Sequence, residues 1–158
     1  MRKFIQNKLK DQKGLTLIEL LAVIVILAII AAIAIPAIGN IIENSRYSAV
    51  KSDATNILNS ANVYFTENPT DTDATLTEIT DGGYLQSAGK FETVAAANVI
   101  ISKANPMKLT APAITFSGSK TIKFTNATLD QITKDSTKGS AITTSATINT
   151  SGATVVAP

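Results

Sequence analysis

Residues 15–35 read LTLIELLAVIVILAIIAAIAI, a 21-residue run with one ionisable side chain, Glu19, and one hydroxyl, Thr16. No other feature constrains the chain as strongly. As a helix the run covers roughly 30 Å, about the hydrocarbon thickness of a bilayer. A core helix of a globular protein rarely runs this long without a polar face, so the block reads as a single membrane span. Its flanks orient it. Arg2, Lys3, Lys8, Lys10 and Lys13 face only Asp11 in the first 14 residues, a net charge of +4. Positive charge stays on the cytoplasmic side, which puts the amino terminus inside and everything after Pro36 outside.

Composition then removes whole classes of chemistry. Only 16% of residues are charged, against about 25% in ordinary soluble domains, and the sequence contains no Cys, His or Trp. That excludes a disulfide framework, thiolate or imidazole metal sites, Cys nucleophiles and Ser-His-Asp triads. No enzyme and no cofactor are expected. Beyond the basic leader the chain holds nine positive and eleven negative side chains, a net of −2. The pI of about 8.9 is therefore a property of the leader, and the outer part carries no nucleic-acid signature.

An ordinary secretory signal has an apolar stretch of roughly 7–15 residues and a small-residue cleavage site. Here the stretch is longer, and Ala32, Ala34 and Ala37 cluster around Pro36. The distinctive junction lies at the other end, Lys13-Gly14-Leu15-Thr16-Leu17-Ile18-Glu19.

The run KGLTLIELLAVIVILAIIAAIAIPAI strongly resembles the amino-terminal signature of type IV pilins and their pseudopilin relatives, specifically over residues 8–42. The resemblance implies cleavage between Gly14 and Leu15 by a prepilin peptidase on the cytoplasmic face, followed by N-methylation of Leu15. Phe is commoner than Leu at that position, though Leu and Met also occur. The glutamate at the fifth mature position is Glu19, and the proline near the outer membrane edge is Pro36. The resemblance also implies a homopolymer driven by a cytoplasmic assembly ATPase through a membrane platform protein. Before assembly the subunit would sit in the cytoplasmic membrane; afterwards it would be part of a cell-surface filament.

The residues support these roles independently. Gly14 offers a protease a backbone with no side chain. Glu19 is a carboxylate a turn inside the apolar block. It needs headgroup water in the free subunit or a positive partner once neighbours replace lipid. The resemblance supplies that partner, the amino group of Leu15 on an adjacent subunit. Thr16 either adds a hydrogen bond there or bonds back to its own helix. Pro36 removes one helical hydrogen bond and, with Gly39, predicts a bend or weakened turn after which the helix continues.

That continuation is visible as a stripe, Val50, Ala54, Ile57, Leu58, Ala61, Tyr64 and Phe65, with Arg46, Lys51, Asp53 and Asn59 on the polar faces. Asn68-Pro69 ends it. The expected architecture is α+β: a leader over 1–14, one long helix over 15–67 with a membrane half over 15–35, and a β-rich head over 68–158 whose antiparallel sheet packs on the helix. A short helix is expected at Leu76–Thr80, before Gly82-Gly83. Strands are expected at Thr93–Ser102, Ala113–Ser117, Thr121–Asn126, Ala141–Asn149 and Ala153–Ala157, with a hairpin turn at Gly118-Ser119.

Other patterns are weaker. Asp71, Asp73, Glu78 and Asp81 offer oxygen ligands for Ca²⁺, but Leu76 and Gly82 occupy the positions where an EF-hand loop requires Gly and Glu, so a solvated acidic loop is expected. Asn126-Ala127-Thr128 and Asn149-Thr150-Ser151 match the short glycosylation pattern. Tyr47, Tyr64 and Phe65 make no continuous aromatic path, so an electron-conducting fibre is not expected.

The leading function is a structural subunit of a type IV pilus filament. The alternatives are a pseudopilin of a type II secretion or competence DNA-uptake machine and, from another class, a single-span membrane-anchored ligand-binding domain.

Overall fold

The computed structural model of the chain describes residues 16–156. It divides into two compact units between Ile38 and Gly39. One helix, α1, spans Leu17–Glu67 and contains Pro36 without interruption of the helical assignment. Pro36 therefore does not end the helix. In the amino-terminal unit the apolar residues are solvent-facing in the isolated chain, from Leu17 at 88% to Ile35 at 70% exposed. No polar face breaks this surface, so it needs lipid or other helices around it.

The outer half of α1 behaves as the stripe predicts. Val50, Ala54, Ile57, Leu58, Ala61 and Phe65 are buried, and Tyr47 extends the stripe by one turn. Tyr64 is half-buried instead, its ring packed edge-on against Phe65 and Tyr84. The helix stops because Pro69 lacks an N–H, and Asn68 donates both its amide N–H and its side-chain Nδ2 to the Tyr64 carbonyl.

The head is a six-stranded sheet in sequence order: β1 Asp73–Thr75, β2 Ile100–Ser102, β3 Lys108–Ser117, β4 Lys120–Thr128, β5 Ser145–Asn149 and β6 Gly152–Val156. All neighbours pair antiparallel except β4 and β5, which are parallel. The expected antiparallel sheet is present, with β4 and β5 as its one parallel pair among the described residues. A parallel pair needs a crossover, and residues 129–144 supply it through α3, Leu129–Lys134, and a 3-10 turn at Gly139–Ala141. Between β1 and β2 lie α2, Leu76–Asp81, and two more 3-10 turns.

Several strand expectations need trimming. Thr93–Ser102 is strand only over its last three residues; the rest is 3-10 turn and loop. Ala141–Asn149 begins as the 3-10 turn and becomes β5 at Ser145, so Thr144 lies outside the strand and is exposed. By contrast β3 starts five residues before Ala113. It accommodates Pro112 because the register slips between Ala111 and Ile114, so a bulge replaces the ladder bond that Pro cannot make. A second bulge falls at Asn126, whose φ is 51°. The turn at Gly118-Ser119 is present, with Gly118 at φ 55°.

The core joins α1 to the inner face of the sheet through Ile101, Leu109, Ile114, Ile122, Phe124, Ala146 and Ile148, with Ile132 and Ile142 of the crossover in the same buried cluster. All of its buried side chains come after Ile38.

Candidate assembly site

Three of the five sequence-derived site residues fall among the described residues: Thr16, Glu19 and Pro36. Gly14 and Leu15 lie outside them. Thr16 stands immediately before α1. Its backbone N–H and its hydroxyl both donate to Glu19 Oε2 at 2.8 Å, and Glu19 N–H returns a bond to Thr16 Oγ1 at 3.3 Å. This is a capping box: two orphan donors of the helix terminus are satisfied reciprocally. The carboxylate is thus partnered within its own chain, which offsets part of the cost of placing it among apolar side chains. Among the described residues Oε1 accepts no hydrogen bond and stays available to a donor from elsewhere. The Thr16 hydroxyl thus bonds back to its own helix, through both the side chain and the backbone N–H of Glu19.

The same device recurs twice in the head. Thr75 and Glu78 open α2, and Thr128 and Gln131 open α3, each with both reciprocal bonds. The pattern Thr-x-x-Glu/Gln was legible in the sequence and would have located α3, which the periodicity reading missed.

Asn44, Tyr47 and Lys51 on α1 hold the crossover, and Glu43 holds the start of β4. Lys120 Nζ pairs with Glu43 Oε2 at 2.8 Å, and Ser140 N–H donates to Asn44 Oδ1 at 2.9 Å. Gly139 sits against the helix so closely that a Cβ there would lie 2.5 Å from the Glu43 carbonyl oxygen and 2.7 Å from Tyr47 Cβ. Asp135, its side chain 2% exposed, accepts from Tyr47 Oη at 2.7 Å, Lys51 Nζ at 3.2 Å and Thr137 N–H at 3.0 Å. Lys51 also donates to the Asp135 carbonyl at 2.7 Å. Burial works to raise the Asp135 pKa. Hydrogen bonds from Thr137 and Tyr47, with the Lys51 charge, outweigh it and hold the carboxyl below its ordinary range. Burial and the Asp135 carboxylate push the Tyr47 hydroxyl up.

The acidic loop does not converge on a cation. Asp71 accepts from the Tyr64 hydroxyl at 2.8 Å, Glu78 belongs to its capping box, and Glu67 accepts from Tyr84. Among the described residues no group of three or more acidic, His or Cys side chains has metal-binding geometry. In the glycosylation patterns Asn126 is exposed although its Thr128 is buried and used as a cap, and Asn149 is half-buried at the β5–β6 turn, where it accepts from Ser151 N–H at 2.8 Å. An open groove of about 740 Å³ lies beside α1, lined by Leu58, Asn62, Met107 and Leu129 among others.

A family model described as the prokaryotic N-terminal methylation motif matches residues 9–35. No curated protein and no solved structure matches the chain significantly. The matched segment contains the basic-to-apolar junction, Thr16, Glu19 and most of the exposed half of α1, and the helix then continues onto an α+β head. The chain therefore carries, over residues 9–35, the prepilin-type signal characteristic of type IV pilins and pseudopilins, and the long helix that begins there leads into an α+β head of pilin-like architecture.

Proposed function

We propose that the chain is a structural subunit of a type IV pilus filament. The prepilin peptidase removes residues 1–14 by cutting between Gly14 and Leu15, and the new amino terminus is methylated. The processed subunit waits in the cytoplasmic membrane with its amino terminus inside. A cytoplasmic assembly ATPase, acting through a platform protein, then moves α1 from lipid into a bundle of identical helices. Glu19 Oε1 receives the Leu15 ammonium of a neighbour and sets the axial register, while Thr16 keeps hold of Oε2. Repeated heterologous contacts that never close produce an open helical polymer.

The observation that carries this reading is the division of labour along one helix. Residues 17–42 present apolar side chains all round, with none of the large ones buried, while the head completes its own core without them. A simple membrane anchor needs that apolar length too, but it does not need the methylation motif. A pseudopilin shares both features and differs in what it assembles into.

Three measurements test the proposal. Intact mass of the purified protein should show loss of residues 1–14 and gain of one methyl group. Retention of Met1, or a cut after Ala34 or Ala37, contradicts it. Glu19→Ala should abolish filaments recovered by shearing cells, with head melting unchanged. Surface fibres that persist in cells lacking the gene would leave the pseudopilin reading instead.

A further inference from the structure

The charges of the head are sorted along α1. At its foot, around residues 43–51, Glu43 is neutralised by Lys120 and Asp135 by Lys51. What remains there is positive. Arg46 is exposed beside Ser117 Oγ, Lys138 is exposed next to the tightly packed Gly139, and Lys123 is exposed on β4 three residues beyond Lys120. At the other end, about 30 Å along the helix, the surplus is negative. Glu67, Asp71, Asp73, Glu78 and Asp81 lie towards the carboxy-terminal end of α1 and outnumber the lysines there, Lys103, which donates to the Pro69 carbonyl, and Lys108, two strands across from Asp73. The last turn of α1 holds no basic residue, so its carbonyl end adds to the negative potential rather than being compensated.

Between the two ends the exposed face of α1 is almost uncharged. Ser48, Ser52, Asn56, Asn59, Asn62 and Val63 are exposed. The two charged residues of that stretch turn to the head, Lys51 to Asp135 and Asp53 to the N–H of Lys90. Solvent-facing helix surfaces ordinarily carry Lys and Glu. An uncharged helix face of this kind suits contact with another protein surface, here a second copy of the chain.

We propose that this polarity is an interaction surface between copies of the chain. The acidic end of one head docks against the basic foot of a second copy further along the fibre. The proposal rests on the filament reading above and specifies which head surfaces meet. Opposite potentials at the two ends favour the parallel, axially displaced arrangement. They disfavour foot-to-foot and top-to-top encounters, where like charges oppose each other.

Charge reversal of the full-length chain in its host tests this. Lys123→Glu with Lys138→Glu reverses the foot; Asp73→Lys with Asp81→Lys reverses the top. None of these four side chains anchors the fold: Lys123, Lys138 and Asp81 make no hydrogen bond or ion pair among the described residues, and Asp73 accepts only from its neighbour Thr72 at 3.3 Å. Each pair alone should lower the yield of sheared filaments roughly tenfold without changing cleavage or subunit level, and the quadruple variant should recover most of it. Indifference to both reversals, or loss without recovery in the quadruple variant, overturns the proposal. A defect from the foot reversal alone would assign the foot to anionic lipid headgroups and overturn it equally. Wild-type subunits that never polymerise would remove the filament reading as well; polymers insensitive to the reversals would remove only the docking surface.

Discussion

Asp135→Ala removes the acceptor at the centre of the contact between the crossover and α1. Truncation strips Tyr47 Oη and the Thr137 N–H of their partner and separates an ion pair whose side chains are 2% and 15% exposed. Deleting one partner of a buried pair costs about 3–5 kcal/mol. Lys51 keeps its 2.7 Å bond to the carbonyl of residue 135 and has some access to water, so the loss falls near the lower bound, about 3 kcal/mol. The assay is thermal melting by circular dichroism of a soluble fragment beginning at Gly39, since the buried core lies wholly beyond Ile38. For a domain of this size the expected drop in Tm is about 10–15 °C at pH 7.

The pH dependence carries a second check. Asp135 is held below its ordinary value in the folded state, and an unfolded Asp titrates near ~3.9. Its contribution is therefore complete above about pH 4 and is lost as pH falls through the lower folded value. The gap between wild type and variant should be constant from neutral pH down to about 5 and should narrow as pH falls below about 4. A gap of less than about 3 °C at pH 7, or one that persists undiminished at pH 2, would refute the burial and pairing argued for this cluster. Lys134→Ala is the control: its pair with Asp130 is 76% and 67% exposed, and melting should hardly move.

Gly139→Ala places a methyl 2.5 Å from the Glu43 carbonyl oxygen. Neither backbone can yield cheaply, so the same fragment should lose about 1–3 kcal/mol in denaturant unfolding. Ile57→Ala removes a fully buried side chain from the α1 stripe and should cost about 2–5 kcal/mol by the same measurement, with unchanged m-value. The Asp71 carboxylate pushes the Tyr64 hydroxyl up to about 12. That bond is intact below the unfolded tyrosine pKa near ~10 and is lost as pH rises through the folded value. Ultraviolet titration should find little tyrosinate at pH 10 in wild type, and Asp71→Asn should bring one of the three tyrosines down towards ordinary behaviour.

Much of the architecture was readable before any coordinates. The run at 15–35, apolar but for Thr16 and Glu19, is long enough to cross a bilayer, and its length and composition are properties of that segment alone. The outer half of α1 announced itself by a 3.6-residue period, and Asn68-Pro69 announced its end, because both signals act within one turn. The capping boxes at Thr16, Thr75 and Thr128 are equally local. The hairpin at Gly118 belongs to the same class.

Other features exist only once distant segments meet. Nothing in the neighbourhood of Asp135 names Tyr47 and Lys51 as its partners, more than 80 residues away. The parallel pairing of β4 with β5 depends on how a 16-residue connection, 129–144, travels across the sheet. Strand lengths were misjudged at Val99 and Ile142 for the same reason: both are buried apolar residues, but in loops that the core happens to cover. Periodicity reports burial, and burial on a sheet and burial beneath a loop look alike until long-range packing separates them.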